Sequence, residues 1–168
     1  RLLLSATFIL SGYVKAIDPL GTQYKIKDYL EALSLYGVFP DWTTLAASVT
    51  LSAAEFSLGI LLLFAIQRRV ISRTILALMV IMTVITVWIF FYDPVQDCGC
   101  FGDALKLTNG QTLAKNIVLT ICAATVAARP MKMPRLISKT NQWIVINYTV
   151  IFIFATSLLS LYTLPYFD

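Results

Sequence analysis

The chain contains no histidine. This excludes the imidazole as metal ligand, general base or pH switch, and with it any catalytic triad that uses one. Charge is also scarce, at 13% of the 168 residues, where a soluble domain carries about 25%. There are only three cysteines, Cys98, Cys100 and Cys122. They do not form the tetrahedral set a zinc site needs, so no zinc site is expected. The formal net charge of +4 is no nucleic-acid footprint, because seven of the thirteen basic residues fall in two short connectors.

Apolar residues make up 58% of the chain, above the roughly 45–50% of a soluble domain. They cluster in five segments, Arg1–Ile17, Trp42–Ile66, Val70–Phe91, Thr112–Ala128 and Trp143–Leu164. Each is near the length of a membrane-crossing helix. None shows the alternation of a membrane barrel strand. The expected fold class is therefore an all-α integral membrane protein in a lipid bilayer. The first segment is short for a span, so further residues are expected before Arg1. It lacks a small-residue cleavage site and is not read as a signal peptide.

The connectors set the orientation. Gln67–Arg73 holds Arg68, Arg69 and Arg73, and Arg129–Lys139 holds Arg129, Lys132, Arg135 and Lys139, with no acid in either. Basic excess marks the cytoplasmic side. The other two connectors hold Asp18, Lys25, Lys27, Asp28, Glu31 and Asp41, then Asp93, Asp97, Asp103 and Lys106. They are expected on the outer, periplasmic side of a bacterial inner membrane, as is the C-terminus. In the first outer connector, Asp18-Pro19-Leu20-Gly21 reads as a turn. Ile26–Leu33 reads as a short amphipathic helix on the membrane boundary, ended by Gly37 and Pro40. Trp42, Tyr92, Trp143, Tyr162 and Tyr166 sit near segment ends, as interfacial aromatics do.

The second outer connector carries the sharpest chemical signal, Asp97-Cys98-Gly99-Cys100-Phe101-Gly102-Asp103. Cysteine is usually a small buried hydrophobe, and two of them among glycines and aspartates outside the apolar runs do not fit that use. A disulfide across one residue needs a folded-back turn, which Gly99 permits. Such a bond is strained and belongs to labile or catalytic pairs. Asp97 and Asp103 oppose thiolate formation, whereas Lys106 and the start of the next helix favour it. Three readings stay open: a redox-active pair, a structural staple, and a soft-metal site holding copper(I). Met79 and Met82, the thioethers nearest in kind, lie mid-segment and read as packing residues.

Four further polar residues lie within or beside the apolar segments. Glu55 is the one acid deep inside a segment, and intramembrane ionisable residues are costly and functional by default. It is either protonated or paired with a bundle partner such as Lys15, as a proton relay or as an interhelical hydrogen bond. Lys15 alone reads as snorkelling to the outer interface. Lys115 reads the same way, and Asn116 as a hydrogen-bonding residue across helices. Cys122, about 16 Å along its helix at 1.5 Å per residue, reads as a buried small side chain.

Ser11-Gly12-Tyr13-Val14-Lys15 followed by Asp18-Pro19-Leu20-Gly21 resembles the first-helix exit of DoxX-like membrane proteins, in their Bacteroidetes-type branch. Cys98-Gly99-Cys100-Phe101-Gly102-Asp103 followed by Lys115-Asn116 is similar to the same branch and to the methylamine-utilisation MauE family. The resemblance covers about the first four membrane segments. It implies a four-helix membrane bundle tied to redox or disulfide metabolism, and for MauE a link to maturation of a disulfide-rich periplasmic enzyme subunit. Disulfide generators such as DsbB and vitamin K epoxide reductase are comparable in architecture only. They use Cys-x-x-Cys, so their mechanism does not carry over to a Cys-x-Cys chain.

The expected organisation is thus a bundle over 1–128, a basic cytoplasmic loop over 129–139 and an additional membrane helix over 140–168, whose outward end could lead into a further extracytoplasmic domain. The expected function is thiol–disulfide exchange by Cys98 and Cys100, as catalytic residues, with a periplasmic thioredoxin-like partner. Electrons would pass to or from a membrane carrier, a quinone near Trp88, Phe90 and Glu55. The rival is a non-catalytic anchor or assembly subunit of a larger envelope complex, in which the cysteines only stiffen a docking loop. The orientation is directly testable. A reporter-fusion scan should place both basic connectors in the cytoplasm and the position after Leu164 outside. A cytoplasmic C-terminus would contradict the five-span reading.

Overall fold

Within the apolar runs, polar and small residues recur at helical spacing, and that spacing decides which face of each helix turns inward. The computed structural model describes residues 1–32, 39–92, 108–130, 134, 136–138 and 140–162. Among them are six helices and no strand. These are α1 (Leu2–Ile17), α2 (Pro19–Ala32), α3 (Asp41–Leu63), α4 (Arg68–Tyr92), α5 (Asn109–Ala128) and α6 (Gln142–Tyr162). Four of them, α3 to α6, are each long and apolar enough to cross a membrane, and α1 with α2 forms a fifth candidate bent by 99°.

The buried stripes explain the packing. On α1 the inward residues are Leu4, Phe8, Ser11, Gly12 and Lys15. On α3 they are Thr44, Ser48, Ser52, Glu55, Gly59 and Leu62. Large apolar side chains such as Val80, Ile81, Ile121, Ile151 and Leu159 instead face outward. A bilayer favours this arrangement, because buried polar groups must be satisfied between helices while the outer surface meets hydrocarbon. Helix α1 packs most extensively on α3, and α4 on α5. Helix α6 lies against α1 and α3, where Ile153 joins Ala16, Ala53 and Phe56 in a small core. A larger core of Leu4, Phe8, Leu62, Ile75, Met79 and Leu119 spans both pairs.

Two helices, α2 and α5, start earlier than hydropathy alone predicts, each for a capping reason. Helix α2 begins at Pro19 and not at Ile26. The backbone N–H of Gly21 donates to Asp18 Oδ1 at 2.8 Å, so Asp18 caps it, and proline is preorganised for the first helical position. The expected turn is therefore the bend itself. Of its expected end, Leu33 and Gly37 lie outside the described residues, and Pro40 stands at the N-cap of α3. Helix α5 begins at Asn109, three residues before the apolar run. Thr108 and Gln111 form a reciprocal capping box there. The expected basic connector Gln67–Arg73 is also mostly helix, because α4 already starts at Arg68. The true connection runs over 64–67, with Ala65 and Gln67 at positive φ.

The ends of the helices sort into two groups. Arg1 donates to the carbonyl of Pro134 at 3.2 Å, and Leu4 packs with Ala65 and Ile71. The described residues of both basic connectors thus lie at the end of the bundle where α1 begins. At the other end, the Ser160 hydroxyl of α6 donates to the carbonyl of Ile17, next to the α1–α2 bend. Helix α2 is pinned on α3 there. Gln23 Nε2 donates to the Asp41 carbonyl and to Thr44 Oγ1, each at 2.9 Å, and Ser48 Oγ donates to the Pro19 carbonyl at 2.7 Å. Trp42, Tyr92, Trp143 and Tyr162 are exposed near helix ends, and Tyr166 lies outside the described residues.

Two glycines set the distance between α1 and α3. A Cβ at Gly12 would stand 2.8 Å from the Phe56 Cα, and one at Gly59 would stand 2.8 Å from the backbone nitrogen of Ile9. Both obstacles are backbone, which cannot swing aside. Gly12→Ala and Gly59→Ala should each lower stability by about 1–3 kcal/mol, the usual range for overpacking. Gly110→Ala should stay within about 0.5 kcal/mol, because its Cβ would meet only the Phe90 ring at 3.7 Å. Denaturant unfolding in mixed micelles, followed by circular dichroism, checks the contrast.

Candidate functional site

The close approach at Gly12 brings a lysine, a serine and a carboxylate together between two helices. Ser11 and Lys15 are one turn apart on α1 and project on one face. Glu55 lies opposite on α3. Lys15 Nζ donates to Glu55 Oε1 at 2.6 Å, and Ser11 Oγ donates to Glu55 Oε2 at 2.7 Å. Both carboxylate oxygens are engaged by one helix. Lys15 is 4% exposed and Glu55 7%. Lys15 thus does not snorkel to the interface, as its position near the helix end suggested. Glu55 is a nearer and stronger partner than headgroup water. Ser11 was legible only as part of a motif, and its bond to Glu55 follows from the spacing of four to Lys15.

The α4–α5 pair carries its own polar seam. Asn116 Nδ2 donates to Thr86 Oγ1 at 2.8 Å, and the hydroxyls of Thr83 and Thr120 share a hydrogen bond at 2.8 Å. Asn116 is buried and Lys115, its chain neighbour, half-buried. Nothing in the sequence singles out Thr86 among the many threonines as the partner.

Between the two helix pairs lies a cavity of about 560 Å³, within the range of about 300–1,000 Å³ typical of small-molecule sites. Lys15, Ser11 and Glu55 line it from the α1–α3 pair, and Asn116 and Lys115 from the α4–α5 pair. Helix α2 adds Thr22, Lys25 and Tyr29. Apolar walls come from residues such as Phe8, Leu78, Ile85 and Leu119. The structure therefore gathers Lys15, Glu55, Lys115 and Asn116, which are far apart in sequence, around one space. Thr22, Lys25 and Tyr29 were missed, although Lys25 and Tyr29 stand one helical turn apart and so share a face.

Trp88 and Glu55, named from the sequence as neighbours of a carrier, both line the cavity. Phe90 is 47% exposed and is not among the lining residues, because it lies on the outward face of α4. Met79 and Met82, read as packing residues, both line the space, and Met79 also belongs to the core. Cys122 is only half-buried as a free thiol, because Ala123 holds the inward position on α5. Cys98, Cys100 and Asp103 lie outside the described residues. The helix ends that bracket them are described. Trp88 stands about one turn before the end of α4 at Tyr92, and Lys115 about two turns after Thr108.

No curated protein and no solved structure matches the chain. A family model described as methylamine utilisation protein MauE matches residues 1–129, which takes in α1 to α5 and leaves α6 outside. With the match covering well over half of its length, the chain belongs to the MauE family.

Proposed function

We propose that this protein exchanges disulfides at the outer face of a bacterial inner membrane, through Cys98 and Cys100, with a thioredoxin-like partner in the periplasm. The family description connects it to methylamine utilisation, and the proposed role there is redox service to an envelope protein. The observation that carries the reading is the position of the segment with both thiols. It joins the ends of α4 and α5 that lie away from the two basic connectors. Those same two helices bring Trp88, Asn116 and Lys115 to the cavity. Basic residues favour the cytoplasm, so the thiols would face the oxidising compartment, where disulfides form and persist.

The chemistry needs a thiolate at one cysteine to attack a partner disulfide, or a partner thiolate to attack a disulfide between Cys98 and Cys100. A mixed disulfide forms, and the second cysteine resolves it. Replacing either cysteine should therefore abolish exchange while leaving the bundle folded, since a loop closed over one residue adds little stability. The variant lacking the resolving cysteine should also retain its partner as an adduct. On a non-reducing gel that adduct should appear for one of Cys98→Ser and Cys100→Ser and disappear with reductant. Cys122→Ala should be silent. Full function in both single variants, with no adduct in either, would discard the redox reading in favour of an anchoring subunit.

A further inference from the structure

The cavity lies between helices that are long enough to span a bilayer, and a buried ion pair forms part of its wall. If the thiol pair exchanges disulfides, the oxidation of two thiols must deliver two electrons and two protons to an acceptor. An acceptor that reaches a space among membrane spans must itself dissolve in the bilayer. It must also offer polar atoms to the Lys15 ammonium and the Asn116 amide, which line the space from opposite helix pairs. A plain acyl chain offers none.

We propose that this cavity binds the ring of a membrane quinone, with Lys15 and Asn116 donating to its carbonyl oxygens. The proposal rests on the disulfide-exchange reading and deepens it by naming the electron acceptor. Lys15 and Asn116 are suited to opposite ends of a ring that carries two acceptors. Asn116 spends one N–H on Thr86 and has a second by its chemistry. Lys15 spends one N–H on Glu55 and has two more. The walls from Phe8, Ile85 and Trp88 suit a flat apolar ring. In the net reaction two S–H bonds break and one S–S bond forms. The two electrons and two protons reduce the two carbonyls to the hydroxyls of a hydroquinone. Glu55 is the carboxylate nearest the Lys15 ammonium and is placed to hold a proton in transit to the ring.

The test uses the full chain in lipid nanodiscs, with Trp42→Phe and Trp143→Phe so that Trp88 alone fluoresces. Ubiquinone-1 and menadione serve as probes, titrated in parallel. Saturable quenching by either supports the site. Asn116→Ala should weaken that binding about tenfold, the loss expected for one hydrogen bond to a bound ligand. Thr83→Ala serves as the control, because it cuts another α4–α5 hydrogen bond outside the cavity lining and should leave binding unchanged. Quenching that rises linearly with both quinones, and equally in all variants, reports partition into lipid and overturns the proposal.

A further arm separates this proposal from the reading beneath it. Cys98→Ser with Cys100→Ser should bind quinone as the parent does, but should not reduce it when dithiothreitol supplies thiols. Binding without thiol-dependent reduction in the parent would keep the cavity as a quinone site and sink the exchange chemistry. Partner adducts without saturable binding would do the reverse.

Discussion

A bilayer interior offers no water to a buried charge, and the Lys15–Glu55 pair is this protein's answer to that constraint. An unpaired charge at such depth costs several kilocalories per mole, with about 2.5–3.5 on insertion scales for comparable groups. The pair and the Ser11 hydroxyl satisfy both carboxylate oxygens. That requires α1 and α3 to approach closely, and Gly12 and Gly59 permit it. Once α1 and α3 are locked together, α2 folds back on the α3 end through Gln23 and Ser48, and α6 settles on their outer side. The ion pair thus fixes one half of the bundle.

The other half is held by weaker means. Helices α4 and α5 are joined by neutral hydrogen bonds, Asn116 to Thr86, Thr83 to Thr120 and Thr120 to the Met79 carbonyl, and by apolar contacts. Interhelical hydrogen bonds in membranes are worth about 0.6 kcal/mol on average, so this pair is less rigidly specified than the first. The cavity lies where the two halves meet. Its polar groups come from both, and its apolar walls come mainly from α4 and α5. One half holds its charges in place, and the other brings the thiol-bearing segment. Under the proposed disulfide exchange, that placement would divide the labour between rigid charge and redox chemistry.

Much of the architecture was legible in the sequence, because bilayer thickness fixes how long an apolar run must be. The segments 42–66, 70–91, 112–128 and 143–164 match α3 to α6 to within about three residues. Helix starts were less legible. Pro19 and Thr108 extend α2 and α5 through capping chemistry that hydropathy does not register. At the site, Glu55 was visible because a lone acid in an apolar run is conspicuous, and Lys15 was one of few cations near enough to meet it. Its burial was not visible, since snorkelling and pairing leave the same sequence trace. The Asn116–Thr86 bond and the cavity depend on how two helix pairs lean together, which no single helix encodes.

The dependence of the fold on the buried pair is the most direct thing to measure. A double-mutant cycle with Lys15→Met and Glu55→Leu, read by reversible unfolding in mixed micelles, isolates their coupling. Each single change leaves one buried charge without its partner and should cost about 3–5 kcal/mol, whereas removing both should cost much less. The account predicts a coupling of at least about 2 kcal/mol, with the double variant more stable than either single one. Single costs that simply add, with the double variant the least stable of the three, would contradict it.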